Sequence, residues 1–316
     1  MTEKLKLGVS ACLLGQKVRY DGGHKLDHYI VDVLGRFVDF VPVCPEVEIG
    51  LGIPREPLRL VGEPNAARLV TSRSGLDHTA TMRAWAAKRL NELEAEDLCG
   101  FIFKSGSPSS GMARVKVYAS GGVPLKQGVG IFAQAFMRRF PLIPVEDEGR
   151  LNDLNLREHF IERIFGLKRW RDFERQPQSI GALMDFHARH KLLLNAHCET
   201  VQRQMGRLLA QAGKASCPAT YSQYGQLYLQ AMRHQTTVAR HINVLQHMLG
   251  YFKRELAADE KAEILESLDH YRAGFVPLLV PLSLIRHYIR KYDQTYLKQQ
   301  VYLNPSPLEL KLRNHA

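Results

Sequence analysis

The sequence predicts an α/β N-terminal part, a mostly parallel Rossmann-like sheet with flanking helices, followed by an all-α part. Three observations carry this. Up to about residue 140, short β-branched or aromatic runs alternate with segments of helical period. A stretch rich in prolines and acids, PLIPVEDEGRLND from Pro141, interrupts that alternation. Beyond it nearly every segment repeats its apolar residues at helical spacing, so the expected division is 1–145 and 146–316.

In chain order, LKLGVS from Leu5 is a short apolar run, a strand. HYIVDVLGRF from His28 has helical spacing, and FVDFVPVC from Phe37 is β-branched and aromatic, again a strand. DHTATMRAWAAKRLNELEAED from Asp77 opens on a capping-type residue and continues in good helix formers. LCGFIFKS from Leu98 is a strand and VGIFAQAFMRRF from Val129 a helix. In the second part LREHFIERIFGLKRW, SIGALMDFHARHKLLLNAH, TTVARHINVLQHMLGYFKREL, DEKAEILESLDHYRAG and LIRHYIRKYDQTYLKQQ all read as helices. Their interruptions are the Gly/Cys/Pro stretch Gly213 to Pro218 and the proline-containing run Val276 to Pro281, and no internal repeat is visible.

Composition narrows the function classes. At 316 residues the chain is long enough for two cores, and 45% apolar with 24% charged residues suits a soluble globular protein. The most apolar window, FVPLLVPLSLI from Phe275, is too short and too proline-rich to span a bilayer. The N-terminus MTEKLKLGVSACLLG shows no export signal, so a cytoplasmic location is expected. Five cysteines at 12, 44, 99, 198 and 217, none in a C-x-x-C pair, point to reduced thiols rather than disulfides. The net charge of +11 is uneven: residues 151–316 hold 23 basic against 15 acidic residues, which favours a polyanionic partner for that part, the alternative being a basic surface that binds nothing.

Three segments each follow an expected strand: SACLLGQKVRYDGGHK from Ser10, VCPEVEIGLGIPRE from Val43 and KSGSPSSG from Lys104. In an open parallel sheet the loops at the carboxyl ends of the strands converge on the ligand crevice, which would bring Cys12, Cys44 and the serine-rich loop together. Two thiolates are too few for zinc or an iron-sulfur cluster, and the third loop offers Ser107, Ser109 and Ser110 but no cysteine. Cys99 does not fill the gap. It starts the strand whose far end is Ser105, roughly 20 Å away at about 3.3 Å per residue. Small buried hydrophobes are the plain alternative for all of these cysteines.

ACLLGQKVRYDGGHK, PVCPEVEIGLGIPRE and KSGSPSSGMARVKVY resemble the TudS-like thiouracil desulfidase family. The remainder, with DFHARHKLLLNAH and INVLQHMLGYFK, resembles the YbgA-like helical domain often fused to it. The whole is similar to two-domain tRNA 4-thiouridine desulfidases. The resemblance implies a [4Fe-4S] cluster on three cysteines with one open iron, falling on Cys12, Cys44 and Ser110. The family's S-P-S-C-G reads S-P-S-S-G here. It also implies catalytic roles for Glu46 of C-P-E and for Ser107, the first serine of S-P-S.

An oxygen donor is hard where the cluster prefers soft thiolate, so this form is expected to hold the cluster poorly or not at all and to be inactive to that extent. The near-isosteric exchange is that of an engineered ligand probe or of a natural loss of activity. The expected chemistry replaces C=S by C=O with water, Glu46 acting as general acid or base and Ser107 orienting the water or relaying its proton. Lys104 is a candidate for phosphate or oxyanion binding, or a solvated strand-end lysine. Asp21 of RYDGG is a second acid/base candidate, or a turn former.

His187, His190, Lys191, His197, Arg240, His241, His247 and Lys253 sit on helical segments with aromatics between them. That face suits RNA phosphates and an exposed base. Helix-capping or buried histidines are the plain alternative. The partner implied is tRNA carrying 4-thiouridine, a base that must be drawn out to react. The alternatives are a desulfidase of free thiouracil or thionucleosides, and a non-catalytic RNA-binding or iron-sulfur sensor protein.

Overall fold

The computed structural model describes residues 4–118, 123–212 and 217–315. The chain divides into two compact units, Met1–Phe160 and Ile161–Ala316.

The first unit holds β1 (Leu5–Ser10), β2 (Val38–Val43), α1 (Pro45–Glu48), β3 (Leu58–Val61), β4 (Arg68–Thr71), α2 (Thr79–Ala95), β5 (Gly100–Phe103), β6 (Val115–Tyr118), β7 (Pro124–Gly128), α3 (Ile131–Arg139) and β8 (Val145–Asp147). Strands β2-β1-β5-β8 form one sheet with every pairing parallel. The α/β expectation is met there. β1 runs between β2 and β5, with Leu5 opposite Val38 and Leu7 opposite Gly100. Leu7, Val9, Phe101, Ile102 and Phe103 are fully buried, as strands covered on both faces require. Phe101, Phe103, Phe132 and Phe136 pack as a tilted and stacked aromatic cluster between β5 and α3.

A second sheet, β4-β3-β6-β7, is mixed, with β3–β4 and β6–β7 antiparallel. The sequence reading did not contain it. Its strands are four or five residues long and interrupted by Gly62 and Pro64, too short for a period-2 pattern to stand out. The segment expected as a helix from His28 is a single helical turn at Tyr29–Val33 running into a 3-10 turn at Leu34–Arg36.

The second unit is helical: α4 (Leu154–Glu174, which starts at the end of the first unit), α5 (Ile180–Ala210), α6 (Cys217–Met232), α7 (Val238–Leu249), α8 (Ala258–Arg272), α9 (Leu279–Lys291) and α10 (Thr295–Lys298). Ser179 and Thr237 cap α5 and α7 by accepting from the amides of Ala182 and Arg240. Helix α6 falls within the stretch expected to be helical, starting at Cys217 inside the expected Gly213 to Pro218 interruption, which lies partly outside the described residues. Pro281 falls in the first turn of α9, where a missing amide costs nothing, so the apolar run enters the helix instead of breaking it. Trp170 anchors the core against Phe173, Phe186, Tyr224 and Tyr228.

Candidate active site

The first loop leaves β1 at Ser10 and turns at once through a 3-10 turn, Ala11–Leu14, closed by Gly15 in the left-handed region at φ 85°. Cys12 lies in that turn, 8% exposed. The amide of Lys104, just past β5, donates to Ser10 Oγ at 2.9 Å and ties the two strand ends together. Cys44 stands between β2 and α1, with its amide donating to Glu48 Oε1 at 3.0 Å. Pro45 occupies the first helical position, and Cys44 Sγ lies 3.7 Å from Glu46 Oε2 and 3.8 Å from the carbonyl of Val18.

The serine loop is seated on the start of α3. The first amides of a helix have no partner within it, and here the loop supplies them. Ile131 donates to the carbonyl of Pro108 at 3.3 Å, Phe132 and Ala133 donate to that of Ser109 at 2.9 and 3.2 Å, and Gly130 donates to that of Gly111 at 2.8 Å. Gly130 makes the seat possible, since a Cβ there would stand 2.4 Å from the carbonyl carbon of Ser109. Within the loop, Ser107 Oγ accepts from the amides of Ser109 and Ser110 at 3.3 and 3.1 Å and lies 3.0 Å from Ser109 Oγ. Ser109 Oγ donates to Glu46 Oε1, joining the second loop to the third. Ser110, 3% exposed, has its hydroxyl 3.4 Å from that of Ser109.

A cavity of about 430 Å³ opens at this edge of the parallel sheet, and Cys12, Cys44, Glu46, Lys104, Ser107 and Ser110 all line it. The volume suits a nucleobase-sized ligand. Burial pushes the Cys12 thiol up to about 11, the nearby Lys104 charge opposing this and that of Glu46 adding to it. Burial and then the Glu46 charge push Cys44 up to about 12. Both are therefore thiols at neutral pH, and a metal must displace their protons to bind.

Lys104 Nζ donates to Glu148 and, at 3.0 Å, to the carbonyl of Ser105, while the amide and hydroxyl of Ser105 donate to Glu148 at 2.7 and 2.6 Å. Burial raises the Glu148 carboxyl, but the hydrogen bonds from Lys104 and Ser105 outweigh it and hold it below its ordinary range. Lys104 thus serves as a fixed cation bracing the loop. Asp21 does not line the cavity. Its Oδ1 accepts from the Gly23 amide at 3.0 Å, which with Arg19 nearby holds its pKa low, and the geometry is that of a turn former. Cys99 is buried at the opposite end of β5, its amide donating to the carbonyl of Lys6.

Sequence reasoning missed Ser109 as the partner of Glu46 and missed Glu148. The first stood in the quoted loop without a role, and the second was absorbed into the segment taken as a domain boundary. In the helical unit, His190, His197 and His241 are buried instead of forming a face. His190 Nδ1 lies 2.7 Å from the carbonyl of Phe186, His197 Nε2 3.2 Å from Glu162, and His241 Nδ1 2.8 Å from Tyr302 OH.

A family model described as 2-thiouracil desulfurase matches residues 7–148. A second, described as a protein of unknown function (DUF1722), matches residues 191–307. The chain is 33% identical over 153 residues to the uncharacterized protein YbgA of Escherichia coli (strain K12), covering 48% of this chain and 90% of that protein. It is 34% identical over 109 residues to the uncharacterized protein YbbK of Bacillus subtilis (strain 168), covering 33% of this chain and 71% of the relative. The chain belongs to the 2-thiouracil desulfurase family. A YbgA-like, DUF1722 region follows the desulfurase region. A solved [4Fe-4S]-dependent thiouracil desulfidase, TudS, is 38% identical with a TM-score of 0.40, covering 49% of this chain and 97% of that one.

Set against the cluster that the sequence resemblance implies, the desulfurase cavity offers soft donors at Cys12 and Cys44 and a hard one at Ser110. The donor chemistry therefore fits at two corners and fails at the third, where a serine hydroxyl replaces a thiolate. Among the described residues no group of three or more His, Cys, Asp or Glu side chains is placed to hold a metal ion. Among the same residues no helix is long and apolar enough to cross a membrane.

Proposed function

We propose that this chain is built as a desulfidase that exchanges the sulfur of 4-thiouridine in tRNA for oxygen at a [4Fe-4S] site, in a form that holds the cluster poorly because Ser110 stands at its third corner. The observation that carries the reading is that Cys12, Cys44, Glu46, Ser107 and Ser110, from three loops spread over a hundred residues, line one cavity. Cys12 and Cys44 would hold the cluster, which supplies soft Lewis-acid chemistry toward a thiocarbonyl sulfur.

The remaining work falls to side chains on the page. Glu46, fixed by the Ser109 hydroxyl, faces the cavity and takes a proton from the water whose oxygen becomes the carbonyl oxygen. Ser107, within 3.0 Å of Ser109 Oγ, extends that hydrogen-bonded line into the cavity. Water enters, hydrogen sulfide leaves, and no electron is transferred overall. Lys104, paired with Glu148, keeps positive charge beside the Cys12 thiol, which favours the thiolate form that a metal needs.

The basic surplus over residues 151–316 supports tRNA as the substrate, since a free base needs no such surface. Free thiouracil is the second reading, favoured by the description of the matched family.

The test is anaerobic reconstitution of this chain and of its Ser110→Cys form with iron and sulfide. A brown chromophore and loss of the 4-thiouridine absorbance of tRNA are expected in Ser110→Cys, with a weak or absent chromophore in the parent. Equal spectra would show that the third corner lies elsewhere. A loaded Ser110→Cys form that converts free 4-thiouracil but leaves tRNA untouched would replace the first reading by the second. A loaded form that converts neither would leave an iron-sulfur sensor.

A further inference from the structure

The motif C-P-E-V-E gives the one-turn helix α1 two carboxylates, and only Glu46 has a part in the reaction proposed above. At 3.6 residues per turn Glu46 and Glu48 stand about 200° apart, so they leave the helix on opposite sides. Glu46 lines the cavity and Glu48 does not. The Glu48 side chain turns back along the chain instead. Its Oε1 accepts from the amide of Cys44 at 3.0 Å, while its own amide donates to the carbonyl of Cys44 at 2.9 Å. One residue thus holds both polar groups of the Cys44 backbone.

The other oxygen of that carboxylate is fixed to α2. Glu48 Oε2 lies 3.2 Å from Arg89 Nε, a buried nitrogen that forms no hydrogen bond among the described residues and relies on this ion pair, while Arg89 Nη1 donates to Glu92 at 2.8 Å. Burial raises the Glu48 carboxyl, and the Cys44 amide, the Arg89 charge and a hydrogen bond from Trp85 oppose the rise. Trp85 packs on Phe132 at 5.3 Å, and Ala86, Leu90 and Leu93 beside it on α2 are buried in the core. A helix of four residues is not stable alone, so α1 needs this brace. Cys12 does not, because its carbonyl accepts from the amides of Gly15 and Lys25 at 3.3 and 2.9 Å. We propose that Glu48 is a positioning residue for Cys44: by holding the Cys44 amide and anchoring it to α2, it fixes the direction in which that thiol enters the cavity. This rests on Cys44 being a ligand at the desulfidase site.

Two conservative variants separate the grip from the charge. Glu48→Asp keeps the carboxylate but is a methylene too short to reach the Cys44 amide, whereas Glu48→Gln keeps the reach and an acceptor oxygen but gives up the charge. The first measurement is iodoacetamide alkylation of the cluster-free full chain, followed at each cysteine by peptide mass. Glu48→Asp is expected to speed alkylation of Cys44 about tenfold, because losing a hydrogen bond to a charged acceptor eases the local opening it restrained, with Cys12 changed less than about twofold. Glu48→Gln should stay within about threefold of the parent. The second measurement is the chromophore of the Ser110→Cys form after anaerobic reconstitution, which should be weaker or bleach faster in air with Glu48→Asp and recover with Glu48→Gln. Unchanged alkylation of Cys44 in Glu48→Asp overturns the proposal. An equal rise at Cys12 and Cys44 with a lower melting temperature does so too, making Glu48 a residue of the fold. A Glu48→Gln form that behaves as Glu48→Asp also overturns it, the ion pair with Arg89 then being what matters. A Ser110→Cys form that gains no chromophore with Glu48 in place overturns the cluster site, and with it the ligand to be positioned. A chromophore indifferent to Glu48→Asp overturns the positioning role alone.

Discussion

The two units use polar residues in opposite ways. In the α/β unit the cysteines, Glu46 and the serine loop stand at strand ends around a cavity, and their hydrogen bonds run from one loop to the next. In the helical unit the most conspicuous polar residues, His190, His197, His241 and Glu162, are buried and bonded to neighbouring helices or carbonyls. Polar residues that converge on a void are arranged for a ligand, while polar residues that satisfy one another in a core are arranged for the fold. Each unit carries one tryptophan, Trp85 and Trp170, so Trp→Phe backgrounds let each be followed alone.

Acid should separate the units most strongly. Burial holds His190 and His241 at about 3, against an ordinary 6.5. Above pH 6.5 both are neutral, folded or unfolded. As the pH falls from 6.5 toward 3 the unfolded chain takes up protons that the folded unit refuses, so stability drops by about 1.4 kcal/mol per pH unit for each histidine. Glu162 acts in the same direction at lower pH: burial opposes its charge, but Arg313 and His197 hold its carboxyl below the usual range, so its contribution is lost on acidification. Burial also lowers His187, to about 4, so between pH 6.5 and 4.5 the three histidines together should take at least about 5 kcal/mol from the Trp170 transition. Of the first unit's histidines, His24 and His28 are exposed and His78 and His159 only half-buried, so the Trp85 transition should move much less. Equal displacement of both would show that the buried histidines are not what distinguishes the units.

A nearly equal effect is expected from Arg313→Met. Arg313 Nη2 donates to Glu162 Oε1 at 2.7 Å and Nη1 to the carbonyl of Tyr302 at 2.6 Å, with both charges nearly fully buried. Removing the cation leaves a buried carboxylate with much of its compensation gone, which costs about 3–5 kcal/mol. Urea unfolding read at Trp170 should show this loss, and a change below about 1 kcal/mol would mean that water or His197 takes over the pairing.

The same contrast explains what was legible in the sequence. The strand-ending loops could be placed because a parallel sheet gathers its carboxyl-end loops whatever the details of packing, so Cys12, Cys44 and Ser110 met as expected. The partner of Glu46 could not be read, because which of three serines points at a carboxylate depends on how the loop sits on α3, and Gly130 decides that from twenty residues away. In the helical unit the periodicity gave the helices. Which histidines face inward depends on helix rotation, and D-F-H-A-R-H places His187 and His190 one turn apart with no signal of their different burial.

Gly130→Ala probes that hidden dependence. The added methyl would collide with the Ser109 backbone, which cannot rotate away as a side chain would. Overpacking of this kind costs about 1–3 kcal/mol, here in the Trp85 transition alone. Displacement of the serine loop should also abolish the chromophore gained by Ser110→Cys. Retention of that chromophore would mean that the seat on α3 does not set the third corner.

The smallest effect should come from Ser109→Ala, which removes the hydroxyl reaching Glu46, Ser107 and Ser110. Glu46 is only half-buried, so water can replace the lost donor, and the cost should be about 1 kcal/mol in the Trp85 transition with none at Trp170. In the Ser110→Cys background kcat on thiouridine should fall while KM stays near its value, since Glu46 is misdirected and the cavity wall is intact. Ser109→Thr, which keeps the hydroxyl, should recover part of that loss. A fall in stability with kcat unchanged would assign Ser109 to the fold, and the line drawn here between the ligand-directed unit and the self-satisfied one would then run through the serine loop itself.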